Sequence, residues 1–228
     1  MPQNPGPGKE QEEEIAKLLI CEGEKQLNNP PDYIEFTYTE PADTYLNDLK
    51  NHPHHFLLAC IMTPQIRANR AFGIPCQISE KIGGYAFKSF LKTSKEEFIN
   101  IFQELSLHCF NERCGRTTSL VIQRIAEEYD GNAANIWSDN PSSCAVVRRM
   151  LEFYGAGIKV ATMTANVLAR DFRVPMSDMV CIDVSPDVHV KRVFLRLGLI
   201  NENDGPDVLI YKARELNPKY PGIFDLSC

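Results

Sequence analysis

Two glycines separated by one residue, in Phe153-Tyr154-Gly155-Ala156-Gly157-Ile158-Lys159, stand between two apolar helical patterns at 142–153 and 158–170. That arrangement predicts a tight hairpin between two helices. Its backbone can approach a ligand closely, because a glycine carries no Cβ to hold the ligand off. The second helix, Ile158–Arg170, begins at the turn. Its first N–H groups and positive dipole end suit a phosphate. Lys159 lies in that first turn, where a cation opposes the dipole, so helix design alone would not place it there. On the turn alone, a solvated surface lysine is the simpler reading.

The hairpin sits in a chain whose periodicity is helical almost throughout and shows no internal repeat, which predicts an all-α fold. Helices are expected at 12–27, 41–49, 56–62, 65–72, 78–88, 94–108, 114–129, 142–153, 158–170, 190–197 and 206–216. Ser94 with Glu97 three residues on has the spacing of a capping box, and Asp130-Gly131 supplies a helix stop. Residues 28–41, with three prolines, read as a loop or extended connector, and residues 1–10 as a disordered tail.

Composition narrows the partners. Hydrophobic residues make up 43% of 228, enough for one good core or two small lobes. No apolar run reaches the ~20 residues that span a bilayer, and the proline-containing N-terminus lacks a signal peptide's apolar core. The expectation is a monomer in the cytoplasm, associated with the nucleoid, or in the nucleus, with no membrane partner. The net charge of −6 argues at first against a polyanion, yet residues 1–40 alone carry all of it. From Val147 to Arg196 there are eight basic residues against five acids, an excess that permits phosphate binding. The eight cysteines recur at no close spacing and read as reduced core thiols; Cys109 and Cys114, the nearest pair, do not make a metal site by spacing alone.

Other residues have ordinary explanations. Asp187 follows Pro186 and precedes a helix, so it fits an N-cap. His189 reads as packed or hydrogen-bonded, and His52, His54 and His55 as a helix start without an acid at ligand spacing. Gln65 follows a proline-interrupted buried helix, where a polar amide needs partners or a cleft.

Taken together, these segments resemble the helix-hairpin-helix glycosylases of base-excision repair, close to the endonuclease III branch. In that family a Gly-x-Gly hairpin precedes a lysine nucleophile, and an Asp-x-His-apolar-x-Arg-Val segment supplies an essential aspartate. Lys159 and Asp187, 28 residues apart, match these positions, the second within Asp187-Val188-His189-Val190-Lys191-Arg192-Val193. Further upstream, 57–65 is similar to the family's first core helix and its glutamine, here Gln65, and 110–125 to a helix that follows an aromatic-containing turn. The likeness covers about residues 55–200. Tyr154 stands where the family usually has proline, and Ala156 replaces a larger apolar residue. Many endonuclease III relatives carry four clustered cysteines near the C-terminus as an iron-sulfur site. No such cluster can form from this C-terminal sequence, so no cofactor is expected: either the branch lacks it or the chain is cut short where it would begin.

The resemblance implies a two-lobed all-α DNA glycosylase. One lobe would comprise 11–54 with 198–228, the other 55–197 with the hairpin at about 142–170. The partner would be double-stranded DNA with a damaged base, oxidised bases ranking first, or with an abasic site, reached by extruding its nucleotide. Lys159 would attack the sugar as a neutral amine, a state favoured by burial near cations such as Arg192. Asp187 would deprotonate it or stabilise the developing cation. Gly155, Gly157, Ile158 and Arg192 would hold the DNA backbone, and Gln65 would fill the gap left by the extruded base. The alternatives are a non-catalytic helix-hairpin-helix binder, which has no use for Asp187 in a cleft, and an α-helical adaptor acting through its acidic N-terminus.

Overall fold

The structure, a computed structural model, describes residues 7–228; the first six residues of the expected tail lie outside the described residues. Every regular element described is helical, as the periodicity predicts. In chain order they are α1 Lys9–Asn28, α2 Ala42–Asn47, α3 Pro53–Ile61, α4 Ala68–Ile82, α5 Phe87–Lys92, α6 Lys95–Glu104 and α7 Asn111–Glu128. There follow α8 Ser143–Leu151, α9 Ile158–Arg170, α10 Val188–Arg196, α11 Pro206–Leu216 and α12 Phe224–Ser227, with short 3-10 turns at Ala133–Ile136 and Pro221–Ile223.

The local signals hold where a cap is written into the sequence. Ser94 and Glu97 form a reciprocal capping box, satisfying two orphan N–H groups at the start of α6. After α7, Asp130 and Gly131 both take positive φ and turn the chain. The expected pair 65–72 and 78–88 is wrong. A single helix, α4, runs through Gly73 and Pro75, and its buried face of Ala71, Phe72, Ile74 and Ile78 outweighs the local cost of the proline. It ends at Gly83 in the left-handed region.

Two compact units divide the chain. The terminal unit comprises residues up to Pro31, Asn140–Val147 and Ala165–Cys228; the internal unit comprises Asp32–Asp139 and Arg148–Thr164. The division differs from the expected 11–54 with 198–228 against 55–197, and contacts within each unit explain why. Phe36 stacks on Phe72 at 4.6 Å and Tyr45 on Tyr85 at 4.0 Å, which ties 32–54 to the internal unit. In the terminal unit, Ser143 meets Asp178, Arg214 grips Asp183 through two bonds at 2.6 and 2.8 Å, and Asn166 meets Gly222 and Asp225. These contacts bring 140–147 and 165–197 to the terminal segments. Cys144 and Cys181 are joined as a disulfide with Cα atoms 5.0 Å apart, and Cys21 and Cys109 are exposed, so the expectation of eight reduced core thiols fails.

Candidate nucleic-acid interface and catalytic residues

The hairpin is fastened within the internal unit from behind. Arg124 of α7 donates to the Glu152 carbonyl at 2.8 Å and to its carboxylate at 3.3 Å, and its guanidinium lies 5.6 Å from the centre of the Phe153 ring. Tyr129 stacks on the same ring at 5.7 Å, and Arg149 holds the Ile136 carbonyl at 2.8 Å. Gly155 then turns the chain at φ +91°. A Cβ there would stand 3.0 Å from Thr117 Cγ2 and 3.4 Å from Ile61 Cγ2, so the turn lies directly on α7 and the end of α3. At Gly157 a Cβ would meet nothing within 4 Å, which leaves that backbone open to a ligand.

Two other turns converge on the same end of the internal unit. The turn 63–66 after α3 is held by His108, whose Nε2 lies 3.1 Å from the Pro64 carbonyl. The turn 105–110 is in turn held by Arg70, which donates to the Leu107 carbonyl at 3.2 Å and to the Ser106 carbonyl. Gln65 is exposed in the first of these turns at φ +66°, a costly conformation for a side-chain-bearing residue. It is exposed but is not the helix start expected of it, because α4 begins three residues later. Phe110 and Tyr154, 44% and 54% exposed, line a cavity of about 470 Å³ together with Cys109, Arg113 and Arg116. Sequence reasoning did not assign these aromatic and basic groups to the site, since each is unremarkable alone and only the meeting of the 105–110 turn and the start of α7 with the hairpin collects them.

Ile158 and Lys159 extend from the hairpin at the start of α9, and both are exposed. The expected burial of Lys159 is therefore not met. Gln65, Gly155, Gly157, Ile158 and Lys159 all belong to the internal unit, whereas Asp187 and Arg192 belong to the terminal unit.

Asp187 caps α10. Its Oδ1 accepts from the backbone N–H of His189 at 2.8 Å and of Val190 at 2.9 Å, which is the N-cap role read from the sequence. Both bonds use one oxygen, so Oδ2 accepts no hydrogen bond among the described residues. His189 is exposed rather than packed. Arg192 is exposed and makes no ion pair among the described residues, unlike Arg148, which pairs with Glu152, and Arg170, which pairs with Asp171.

The histidines 52, 54 and 55 are structural. His52 pairs with Asp48 at 3.0 Å, an acid the spacing argument overlooked. The Nε2 atoms of His54 and His55 lie 3.0 and 3.3 Å from the Tyr85 carbonyl. Burial pushes His54 down to about 4 and His55 down to about 3, so both are neutral. Among the described residues no three His, Cys, Asp or Glu side chains stand close enough to share a metal ion. No described helix is long and apolar enough to cross a membrane.

No family model matches the sequence, and no curated protein matches it either. Solved structures do match in fold. A trapped covalent intermediate of endonuclease III with DNA superposes with a TM-score of 0.58 at 15% identity, covering 94% of this chain and 84% of that one. The 8-oxoguanine glycosylase/lyase of Clostridium acetobutylicum in its apo form gives a TM-score of 0.55 at 18% identity, covering 91% of this chain and 68% of that one. The same enzyme with double-stranded DNA containing cytosine opposite 8-oxoguanine gives 0.55 at 17%, over 81% and 64% of the two chains. At these identities the likeness establishes architecture: the chain has the all-helical, helix-hairpin-helix glycosylase fold of endonuclease III.

Proposed function

We propose that the protein is a DNA glycosylase with abasic-site lyase activity, acting on duplex DNA with a damaged, preferentially oxidised, base. One observation carries the reading. A lysine with no local structural use, Lys159, projects from the first turn after a glycine hairpin, in a fold shared with an enzyme trapped in a covalent complex with DNA.

The hairpin N–H groups and the dipole of α9 hold a phosphate and so fix the strand without reading its sequence. The Lys159 amine attacks C1′ of the extruded nucleotide. The C1′–N bond breaks, and the base leaves with the electron pair and a proton. The sugar ring opens to a Schiff base, loss of a C2′ proton follows, and the C3′–O bond breaks to cut the strand. The free oxygen of Asp187 takes the amine's proton or faces the positive charge developing on the sugar. Arg192 neutralises backbone phosphate, and Gln65 enters the vacated position in the stack, where its amide bonds the orphaned partner base.

A non-catalytic binder remains the competing reading, and the N-cap role of Asp187 favours it, since that role already accounts for the residue. Asp187→Asn separates the two. Asparagine caps a helix as well as aspartate does, so folding is retained while the charge is lost. The glycosylase reading expects strand cleavage at an abasic site to fall at least about a hundredfold with duplex binding intact. Unchanged cleavage, or no cleavage by the wild type on any of a panel of single-lesion and abasic duplexes it binds, establishes the binder instead.

A further inference from the structure

Asp187 is preceded by a turn that the terminal unit anchors at one point. Pro186 has no N–H, and the Asp187 N–H closes back on the Ser185 carbonyl at 2.7 Å. The nearest backbone donor upstream is therefore Ser185 N, and it donates at 2.8 Å to Oδ1 of Asp225 on α12. The other oxygen, Oδ2, accepts from Asn166 Nδ2 at 2.9 Å. Asn166 is 2% exposed, bonds the Gly222 carbonyl at 3.2 Å, and accepts from the Tyr220 hydroxyl. Gly222 N donates to the Ile182 carbonyl at 2.7 Å, and a Cβ on Gly222 would lie 2.8 Å from Ile182 Cγ2. The segment 182–187 is thus clamped at two points by 220–225, and a side chain at position 222 would have to displace it.

We propose that Asp225 is a positioning residue for Asp187: by accepting from Ser185 N while braced by Asn166, it fixes the turn that sets where the free oxygen of Asp187 points. This rests on the glycosylase reading above. The clamp needs a charged carboxyl, since a protonated one presents an O–H to the Asn166 amide, which is itself a donor. Burial, with the negative charge of Asp187, pushes Asp225 up to about 6 against the pull of Ser185 N, Asn166 and the Arg170 guanidinium. Asp171, Tyr220 and Cys228 also act on this cluster, and Lys25 lines the same cavity.

The test compares wild type with Asp225→Ala, Asp225→Asn and Asp187→Asn in single-turnover cleavage of an abasic duplex from mildly acidic to mildly alkaline pH. Duplex affinity and hydrogen exchange at the Ser185 amide are measured alongside. Asp225→Ala should slow cleavage about 10- to 100-fold, the scale of a misplaced reacting group, with affinity unchanged and the Ser185 amide deprotected. Asp225→Asn keeps one acceptor for Ser185 N, so it should lose less rate and lack the wild type's fall in rate as pH drops through about 6. Wild-type rates in Asp225→Ala with a deprotected Ser185 amide overturn the positioning role, as does an unaltered pH profile in Asp225→Asn. If Asp187→Asn also cleaves at the wild-type rate, the glycosylase reading itself has failed, a different result from loss of the clamp alone.

Discussion

Replacing Gly155 with alanine tests whether the hairpin is built as described. At φ +91° an L-residue is strained, at a cost of about 1–2 kcal/mol. The new Cβ also meets Thr117 Cγ2 at 3.0 Å and Ile61 Cγ2 at 3.4 Å. Thr117 and Ile61 are both 3% exposed and β-branched, so neither can swing aside, and overpacking adds about 1–3 kcal/mol. Alanine restricts the unfolded chain and returns about 0.4–1 kcal/mol. The net loss expected is about 1–4.5 kcal/mol, centred near 3. Urea unfolding followed through Trp137, the single tryptophan, reports on it, because Trp137 is 4% exposed and lies in the same unit as the hairpin. Gly157→Ala is the internal control: its Cβ meets nothing, so stability should change by less than about 0.5 kcal/mol while duplex affinity falls. A loss below about 0.5 kcal/mol in Gly155→Ala, or equal losses in both variants, refutes the geometry given for the turn.

Two further outcomes are expected. His54 and His55, held neutral by burial, stabilise the fold above their unfolded value of 6.5, and that contribution is lost as pH falls from there towards about 4 and 3. The unfolding free energy should drop by up to about 2.7 kcal/mol per pH unit in this window, and His55→Gln should roughly halve the slope; a pH-independent stability between 6.5 and 4 contradicts the neutral, buried assignment. Gln65→Ala should weaken binding to a lesion duplex about fivefold, the equivalent of a lost hydrogen bond, and leave binding to an abasic single strand unchanged, since that strand has no orphan base. Equal loss on both substrates, or none, removes the gap-filling role.

The hairpin was legible because its instructions are local. A glycine turn and a periodic apolar run give α9 the bounds Ile158–Arg170 in sequence and structure alike, and α11 likewise runs Pro206–Leu216. Where the decision is tertiary, the sequence misleads. Pro75 argues for a break that the buried face of α4 overrides, and Gln65 was assigned to a helix although its backbone is left-handed. The anchoring of the Asp187 turn by Asp225, 38 residues downstream, leaves no mark in spacing or periodicity. The same is true of the Cys144–Cys181 pairing across 37 residues. The exposure of Lys159 agrees with the surface-lysine reading of the turn taken alone and not with the burial that the family resemblance implies.

The central claim is that Lys159 is the nucleophile, and borohydride reduction during reaction with a lesion duplex measures it directly. Reduction converts a Schiff base to a stable amine, so wild-type protein should be captured as a covalent DNA adduct, and peptide mapping should place the nucleotide remnant on Lys159. Lys159→Ala should yield no adduct while still binding the duplex. An adduct formed by Lys159→Ala, or one mapped to a different residue in the wild type, contradicts the account.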